Sequence, residues 1–158
     1  MLTLLFLDDE EARYKKYKGL LRTTPVKITW CVTAKEAITA LRKRRYDIIS
    51  LDHDLGGKGS GFTPDVPGDV PELQHLFGAQ VPITEEGPDG LTVAKALVKT
   101  ANVDSTIIIH SMNQIGSQRM KQVLPRAQII PFHHVWLEIN LIQKLATKET
   151  INEGSKVG

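Results

Sequence analysis

Apolar positions along this chain fall in short unbroken runs, separated by segments of helical period. The first run, Leu2–Leu7, reads as a strand buried on both faces. Residues 10–21 follow with a helical pattern, and Asp8 or Asp9 stands ready to cap it. Residues 26–30 form a second, β-branched run. Thr33 precedes a helical segment over 34–43, with Glu36 three positions on as in a capping box. The pattern then predicts a strand over 46–51 and a helix over 89–100 with Leu91, Ala94, Leu97 and Val98 on one face. A strand over 106–109, a short helix around 117–124, a brief strand over 128–131 and a closing amphipathic helix over 135–146 complete it.

Strands alternating with helices in this way predict an α/β fold with a parallel sheet covered on both faces. Right-handed crossovers leave few topologies. The expected one is a flavodoxin-like three-layer sandwich, five parallel strands in the order 2-1-3-4-5. Residues 1–146 would form a single domain. Residues 56–87 interrupt it with glycines, prolines and little apolar period, as a loop insertion that leaves the sheet beside Asp52 and is a candidate substrate cover. Residues 147–158 are polar and expected to fray as a disordered tail.

Three of the predicted strands end in polar residues capable of chemistry. The first ends in Asp8-Asp9, the third in Asp52-His53-Asp54, the fourth in His110-Ser111-Met112-Asn113. In the predicted strand order these ends are neighbours and frame the crevice where open α/β sheets bind ligands. Clustered carboxylates repel unless a proton or a cation lies between them. Asp8, Asp9 and Asp52 are therefore the candidate ligands of a divalent cation, magnesium or manganese. His53 and His110 are candidates for the base and the acid of a reaction at phosphate, with the two roles not assigned between them and Asp52 beside them. Ser111 and Asn113 can donate to phosphoryl oxygens. Asp54 belongs with them at the substrate, as does Arg13, one turn into the first helix. Each has a plainer alternative: Asn113 as a helix cap, Arg13 as an exposed helix residue, Asp54 as loop polarity, His133 and His134 as surface residues.

Composition narrows the setting. A 41% hydrophobic content and a formal net charge of +2 describe an ordinary globular chain and do not by themselves indicate nucleic-acid binding. The single cysteine, Cys31, excludes an internal disulfide and suits a reducing compartment. No apolar run approaches the roughly 20 residues that span a bilayer, and acidic residues follow the first run directly, so a cytoplasmic location is expected.

The strings Leu7-Asp8-Asp9-Glu10, Leu51-Asp52 and Asp89-Gly90, with Ser111 ending the fourth strand, resemble the receiver domains of two-component signalling. The receiver lysine after the fifth strand has no counterpart, since residues 127–143 contain neither lysine nor arginine. Asp52-His53-Asp54-Leu55-Gly56, with Arg13 and with His110-Ser111-Met112-Asn113 followed by Gly116 and Met120, resembles instead the cyclic-phosphate processing receiver domains. That resemblance implies a phosphodiesterase that opens the cyclic phosphate of a cyclic nucleotide, a cyclic dinucleotide or a 2′,3′-cyclic RNA end. The alternatives are a module that binds a cyclic nucleotide without cleaving it, and a degenerate phospho-receiver. The implied partners are a cyclic nucleotide or a cyclic-phosphate-bearing RNA end, with no membrane.

Overall fold

The computed structural model describes residues 1–55 and 89–155. Strands β1 (Leu2–Leu7), β2 (Val26–Cys31), β3 (Ile48–Leu51), β4 (Thr106–Ile109) and β5 (Gln128–Ile129) pair in parallel in the order β2-β1-β3-β4-β5. This is the expected flavodoxin-like sheet. Its helices are α1 (Glu11–Leu20), α2 (Ala34–Lys43), α3 (Gly90–Leu97), α4 (Gln114–Val123) and α5 (Val135–Ser155), the last entered through a 3₁₀ turn at Phe132–His134. The insertion expected over 56–87 lies outside the described residues, as do residues 156–158.

Alternation along the central strands divides the core in two. Leu5, Leu7, Ile49, Leu51, Ile107 and Ile109 face α2, α3 and α4, where they pack on Ile38, Leu41, Val93, Leu97 and Met120. Leu4, Phe6, Ile48 and Ile108 face α1 and α5, where they meet Tyr17, Leu21, Val135, Ile139 and Ile142. Each such aliphatic or aromatic side chain contributes about 1.5–3 kcal/mol when fully buried. Ser50 occupies the second face and breaks its apolar run.

Local hydrogen bonding sets the element ends. Thr33 caps α2, its hydroxyl accepting from the Glu36 N–H at 3.2 Å, while Glu36 Oε2 accepts from the Val32 N–H at 2.7 Å, one residue short of the full capping box. Helix α1 departs from expectation: its N-cap is Glu10, which makes no side-chain cap bond, so neither aspartate caps it. Asp8 Oδ1 accepts instead from the Glu10 N–H at 2.8 Å, which keeps that side chain at the sheet edge. Strand β3 starts at Ile48 rather than at 46. The reason is that Tyr46 gives its N–H to Asn102 Oδ1 at 2.7 Å and its carbonyl accepts from Ser105 Oγ at 2.5 Å. The tail expected to fray beyond 146 continues as helix to Ser155. Thr147, Thr150 and Ser155 turn their hydroxyls back onto carbonyls four residues earlier, so these polar residues are accommodated within the helix. Among the described residues no helix is long and apolar enough to cross a membrane.

Asn102 ties three segments together. Fully buried, it receives the Tyr46 N–H and donates its amide to the carbonyls of Leu41 at 2.8 Å and Arg44 at 3.0 Å. Asn102→Ala strands all three groups, and each unpaired buried polar group costs about 1–3 kcal/mol. Chemical denaturation is expected to show a loss of roughly 3 kcal/mol or more.

Candidate functional site

Register carries the sheet's chemistry to one level. Leu7 is opposite Leu51, and Leu51 is opposite Ile109, so the next residues, Asp8, Asp52 and His110, leave adjacent strands together. Their backbones still follow the ladder: the Asp52 N–H donates to the Leu7 carbonyl at 3.0 Å and the His110 N–H to the Leu51 carbonyl at 2.9 Å. Period-two alternation puts all three on the Phe6 face, toward α1 and α5. All three are buried, and one ligand atom from each lies within 4.8 Å of the others.

Within this cluster every carboxylate oxygen already has a neighbour. Asp8 Oδ2 meets His110 Nε2 at 3.0 Å, and Asp52 Oδ1 accepts from the His53 N–H at 2.8 Å. Arg13 enters from α1, donating Nη2–H to Asp52 Oδ2 at 3.2 Å. Its Nε lies 3.2 Å from Asp8 Oδ2 and 2.6 Å from Glu10 Oε2 without aiming a hydrogen bond at either. The guanidinium thus supplies positive charge from α1, on a chain whose residues 127–143 offer neither lysine nor arginine. Burial raises the pKa of Asp52, Asp8 adds to that, and His110 and Arg13 oppose it. Asp9, at the rim, is also raised, by burial first and then by Asp8.

His110 is held on all sides. Its ring stacks on Phe6 at 4.8 Å, meets Phe132 edge-on at 5.9 Å, and has Ser50 Oγ 2.8 Å from Nδ1. Both ring nitrogens are therefore engaged, one with Ser50 and one with Asp8. This is the geometry of a residue that orients a carboxylate or ligates a cation, and it leaves neither nitrogen turned to a substrate.

His53 lies in a second, neighbouring cluster. Its Nδ1 is 2.6 Å from Asp54 Oδ1, and its Nε2 is 4.0 Å from Asp89 Oδ2. The Asn113 amide donates to Asp54 Oδ1 at 3.1 Å, while Asn113 Oδ1 caps α4 by accepting from the Gly116 N–H at 2.8 Å. A Cβ on Gly116 would come within 2.4 Å of the His53 ring, so glycine there makes room for the imidazole. His53 is consequently clamped between the loop after β3 and the start of α4, with its ring part-exposed.

The residues singled out in the sequence therefore separate into two linked groups rather than one facing pair. Asp8, Asp52, Arg13 and His110 form the first; His53, Asp54 and Asn113 form the second. The shared β3 end, Asp52-His53, joins them. Asp9 lies beside the first group, its Oδ1 4.0 Å from Arg13 Nη2, and His110 stands in the three-residue set instead. Ser111 is buried, and its hydroxyl accepts from the Asn113 N–H at 3.1 Å, closing the turn into α4. His133 and His134 are exposed, their ring centroids 4.0 Å apart with the planes tilted by 50°, and His133 Nδ1 lies 3.1 Å from Met112 Sδ. The Cys31 thiol is pushed up to about 12 by burial, which removes it as a nucleophile.

Three residues escaped the sequence reading of the site: Ser50, Glu138 and the Asp89 carboxylate. Ser50 had a signal, as the lone polar residue in an apolar strand. Glu138 had one as well. It shares the helical face of Val135, Ile139, Ile142 and Ala146, so its spacing alone marks a carboxylate turned into the core.

The cluster fits a divalent cation. Two carboxylates and an imidazole converge within ligating reach, and the buried aspartates carry more negative charge than one arginine neutralises.

The model of the family described as the cyclic-phosphate processing receiver domain matches residues 3–126. No curated protein matches the chain in sequence. Among solved structures, a response regulator from Burkholderia pseudomallei, with a phosphorylated aspartic acid, calcium ion and citrate, aligns at a TM-score of 0.60 and 13% identity, covering 99% of this chain and 75% of that one. The receiver domain of an HD domain-containing protein from Pseudomonas fluorescens Pf-5 aligns at 0.61 and 13%, covering 96% and 98%. The response regulatory domain of mrkE from Klebsiella pneumoniae aligns at 0.59 and 15%, covering 93% and 97%. At such identities these neighbours speak for the fold, which is that of a receiver. The matching family model spans most of the chain, and the chain belongs to the cyclic-phosphate processing receiver domain family.

Proposed function

We propose that this protein hydrolyses a cyclic phosphodiester, with the ring phosphate held over the Asp52-His53 end of β3. The observation that carries the reading is the His53 cluster. A part-exposed imidazole, bonded through Nδ1 to Asp54 and braced by Gly116, stands beside a buried acid cluster. A receiver that only stores a phosphoryl group needs no such base.

With Nδ1–H given to Asp54, Nε2 is the atom that takes a proton from an attacking water. The water oxygen forms a bond to phosphorus, one ring P–O ester bond breaks, and the freed oxygen takes a proton from solvent. The product is a phosphomonoester, and His53 returns its proton to bulk water. Arg13 neutralises phosphoryl charge when it swings from Asp52 to the substrate. Asp54 and Asn113 keep the imidazole oriented. Ser111 closes the turn that presents Asn113.

Asp8, Asp52 and His110 would hold a manganese or magnesium ion, which supplies positive charge for the phosphoryl oxygens. Arg13 competes for the same carboxylates. Opposite unit charges about 4 Å apart near a protein surface attract by ~4 kcal/mol. Arg13→Gln is therefore expected to tighten manganese binding by on the order of tenfold, the equivalent of ~1.4 kcal/mol. Titration calorimetry checks this, and unchanged or weaker binding would contradict the competition.

The reading is tested by incubating the protein and manganese with 3′,5′- and 2′,3′-cyclic mononucleotides, cyclic dinucleotides and RNA bearing a 2′,3′-cyclic end. Chromatography should reveal a phosphomonoester from at least one class. Intact rings throughout would overturn it.

A further inference from the structure

The rim of the candidate phosphate site differs from one side to the other. On the β1 side it is charged: Arg13 pairs with Asp9 at 4.0 Å and with Glu10 at 2.6 Å. On the β4 and β5 side, residues 111–116 and 127–137 contain no aspartate, glutamate, lysine or arginine. Among the described residues eight large apolar side chains are exposed, and four of them, Met112, Ile115, Trp136 and Leu137, fall in these two segments. Exposed apolar surface is therefore concentrated beside the site, the usual mark of a surface that receives a ligand or a partner.

Backbone contacts fix how close this surface comes to the phosphate position. Met112 lies between Ser111 and Asn113, and the Asn113 amide donates to Asp54 Oδ1 at 3.1 Å. Consecutive Cα atoms are about 3.8 Å apart, so Met112 begins one residue from the His53–Asp54 pair's own support. Ile115 precedes Gly116, the residue that makes room for the His53 ring. On the neighbouring strand the Phe132 N–H donates to the His110 carbonyl at 2.9 Å, and His133 is the next residue to leave the sheet. The Met112 side chain, 53% exposed, brings its Sδ to 3.1 Å from His133 Nδ1, so thioether and imidazole form one surface. His134 continues it, its ring centroid 4.0 Å from that of His133. Thioethers pack favourably on aromatic rings, and imidazole is among the side chains on which unstacked bases lie.

We propose that Met112 and His133 form a shelf for a nucleobase, so that the phosphate held at His53 belongs to a nucleoside rather than to a plain sugar or polyol. The proposal rests on the hydrolase reading for the position of the phosphate and adds which class of molecule carries it. A nucleotide has the same asymmetry as the rim. Its phosphate is anionic and suits Arg13 and the cation cluster. Its base is planar, uncharged and polarisable, and suits the uncharged side. A sugar phosphate without a base would leave the shelf in water, whereas a base covers it and gains by removing that apolar area from solvent.

Adenosine 5′-monophosphate, adenosine 3′-monophosphate and ribose 5-phosphate, added to the full chain with magnesium, test this without any ring to open. The chain has three methionines, Met1, Met112 and Met120, and Met120 is fully buried. Methyl NMR of labelled methionine therefore isolates Met112, with Met112→Ala assigning its signal. At least one adenosine phosphate should shift the Met112 methyl through the ring current of the base, and ribose 5-phosphate should not. That nucleotide should bind about tenfold or more tightly than ribose 5-phosphate, as expected for one stacked base. Met112→Ala combined with His133→Ala, two exposed positions, should abolish the advantage and leave ribose 5-phosphate affinity unchanged. A methyl signal that no nucleotide moves overturns the proposal, and so does an unaltered nucleotide affinity in the double variant. Nucleotides that bind no better than ribose 5-phosphate, on a chain that sedimentation shows dimerising through Met112, would overturn it in favour of a second copy. Cyclic nucleotides that occupy the shelf and stay closed would sink the hydrolase reading alone. Opening of a base-free ribose cyclic phosphate as fast as that of a cyclic nucleotide would sink the shelf alone.

Discussion

His53→Ala should slow ring opening by on the order of 10²–10⁴-fold, the usual contribution of a general base, while substrate still binds. The ring is part-exposed and clamped by Asp54 and Gly116, so its removal leaves the core intact. The effect should therefore fall on kcat and spare the dissociation constant. Single-turnover kinetics with equilibrium binding on the same preparation separate the two. Asp54→Asn is the natural companion, because it keeps the shape but takes away the carboxylate that holds Nδ1–H. Equal turnover by His53→Ala and wild type would remove the imidazole from the reaction.

Gly90→Ala should be among the most damaging single-methyl changes in the chain. A Cβ at that position would lie 2.0 Å from the Asp52 carbonyl oxygen and 2.9 Å from the His53 Cα, both backbone atoms. The Gly90 N–H also donates to the His53 carbonyl at 2.8 Å. The start of α3 is thus pressed directly onto the peptide that carries Asp52 and His53. No side-chain rotation relieves such a clash, so either α3 or the β3 end must move. Overpacking of this kind costs about 1–3 kcal/mol and more where backbone is involved. Urea denaturation should show a loss at the upper end of that range, and manganese binding should weaken with it, as Asp52 shifts. A variant as stable as wild type would mean that the contact gives way without strain.

How far the sequence alone leads can be judged residue by residue. Strand order was legible because β1, β3 and β4 are short, largely apolar runs and β2 is rich in β-branched residues, and right-handed crossovers then leave little choice. The convergence of Asp8, Asp52 and His110 followed, since register depends only on where each run ends. Side-chain partnership was not legible in the same way. His53 and His110 end adjacent strands, yet the first residue after a strand and the second point to opposite sides. His110 therefore turns to Phe6 and Ser50, while His53 turns to Asp54, Asp89 and Gly116. Arg13 was ambiguous on an α1 without a strong apolar face, and only the fold shows it reaching Asp52. The end of α5 was not legible, because a polar segment such as 147–155 carries no apolar period, and only the fold shows its hydroxyls bonding back onto the helix.

One measurement bears most directly on the central claim that water opens a cyclic phosphate at this site. The protein, loaded with manganese, is incubated with the cyclic substrate in ¹⁸O-enriched water; the metal is then removed, and the product is read by phosphorus-31 NMR. The account predicts a phosphomonoester whose phosphorus carries one ¹⁸O, formed by wild type and nearly absent with His53→Ala. Recovery of the intact ring from a tightly bound complex would contradict it and leave a binding module in its place.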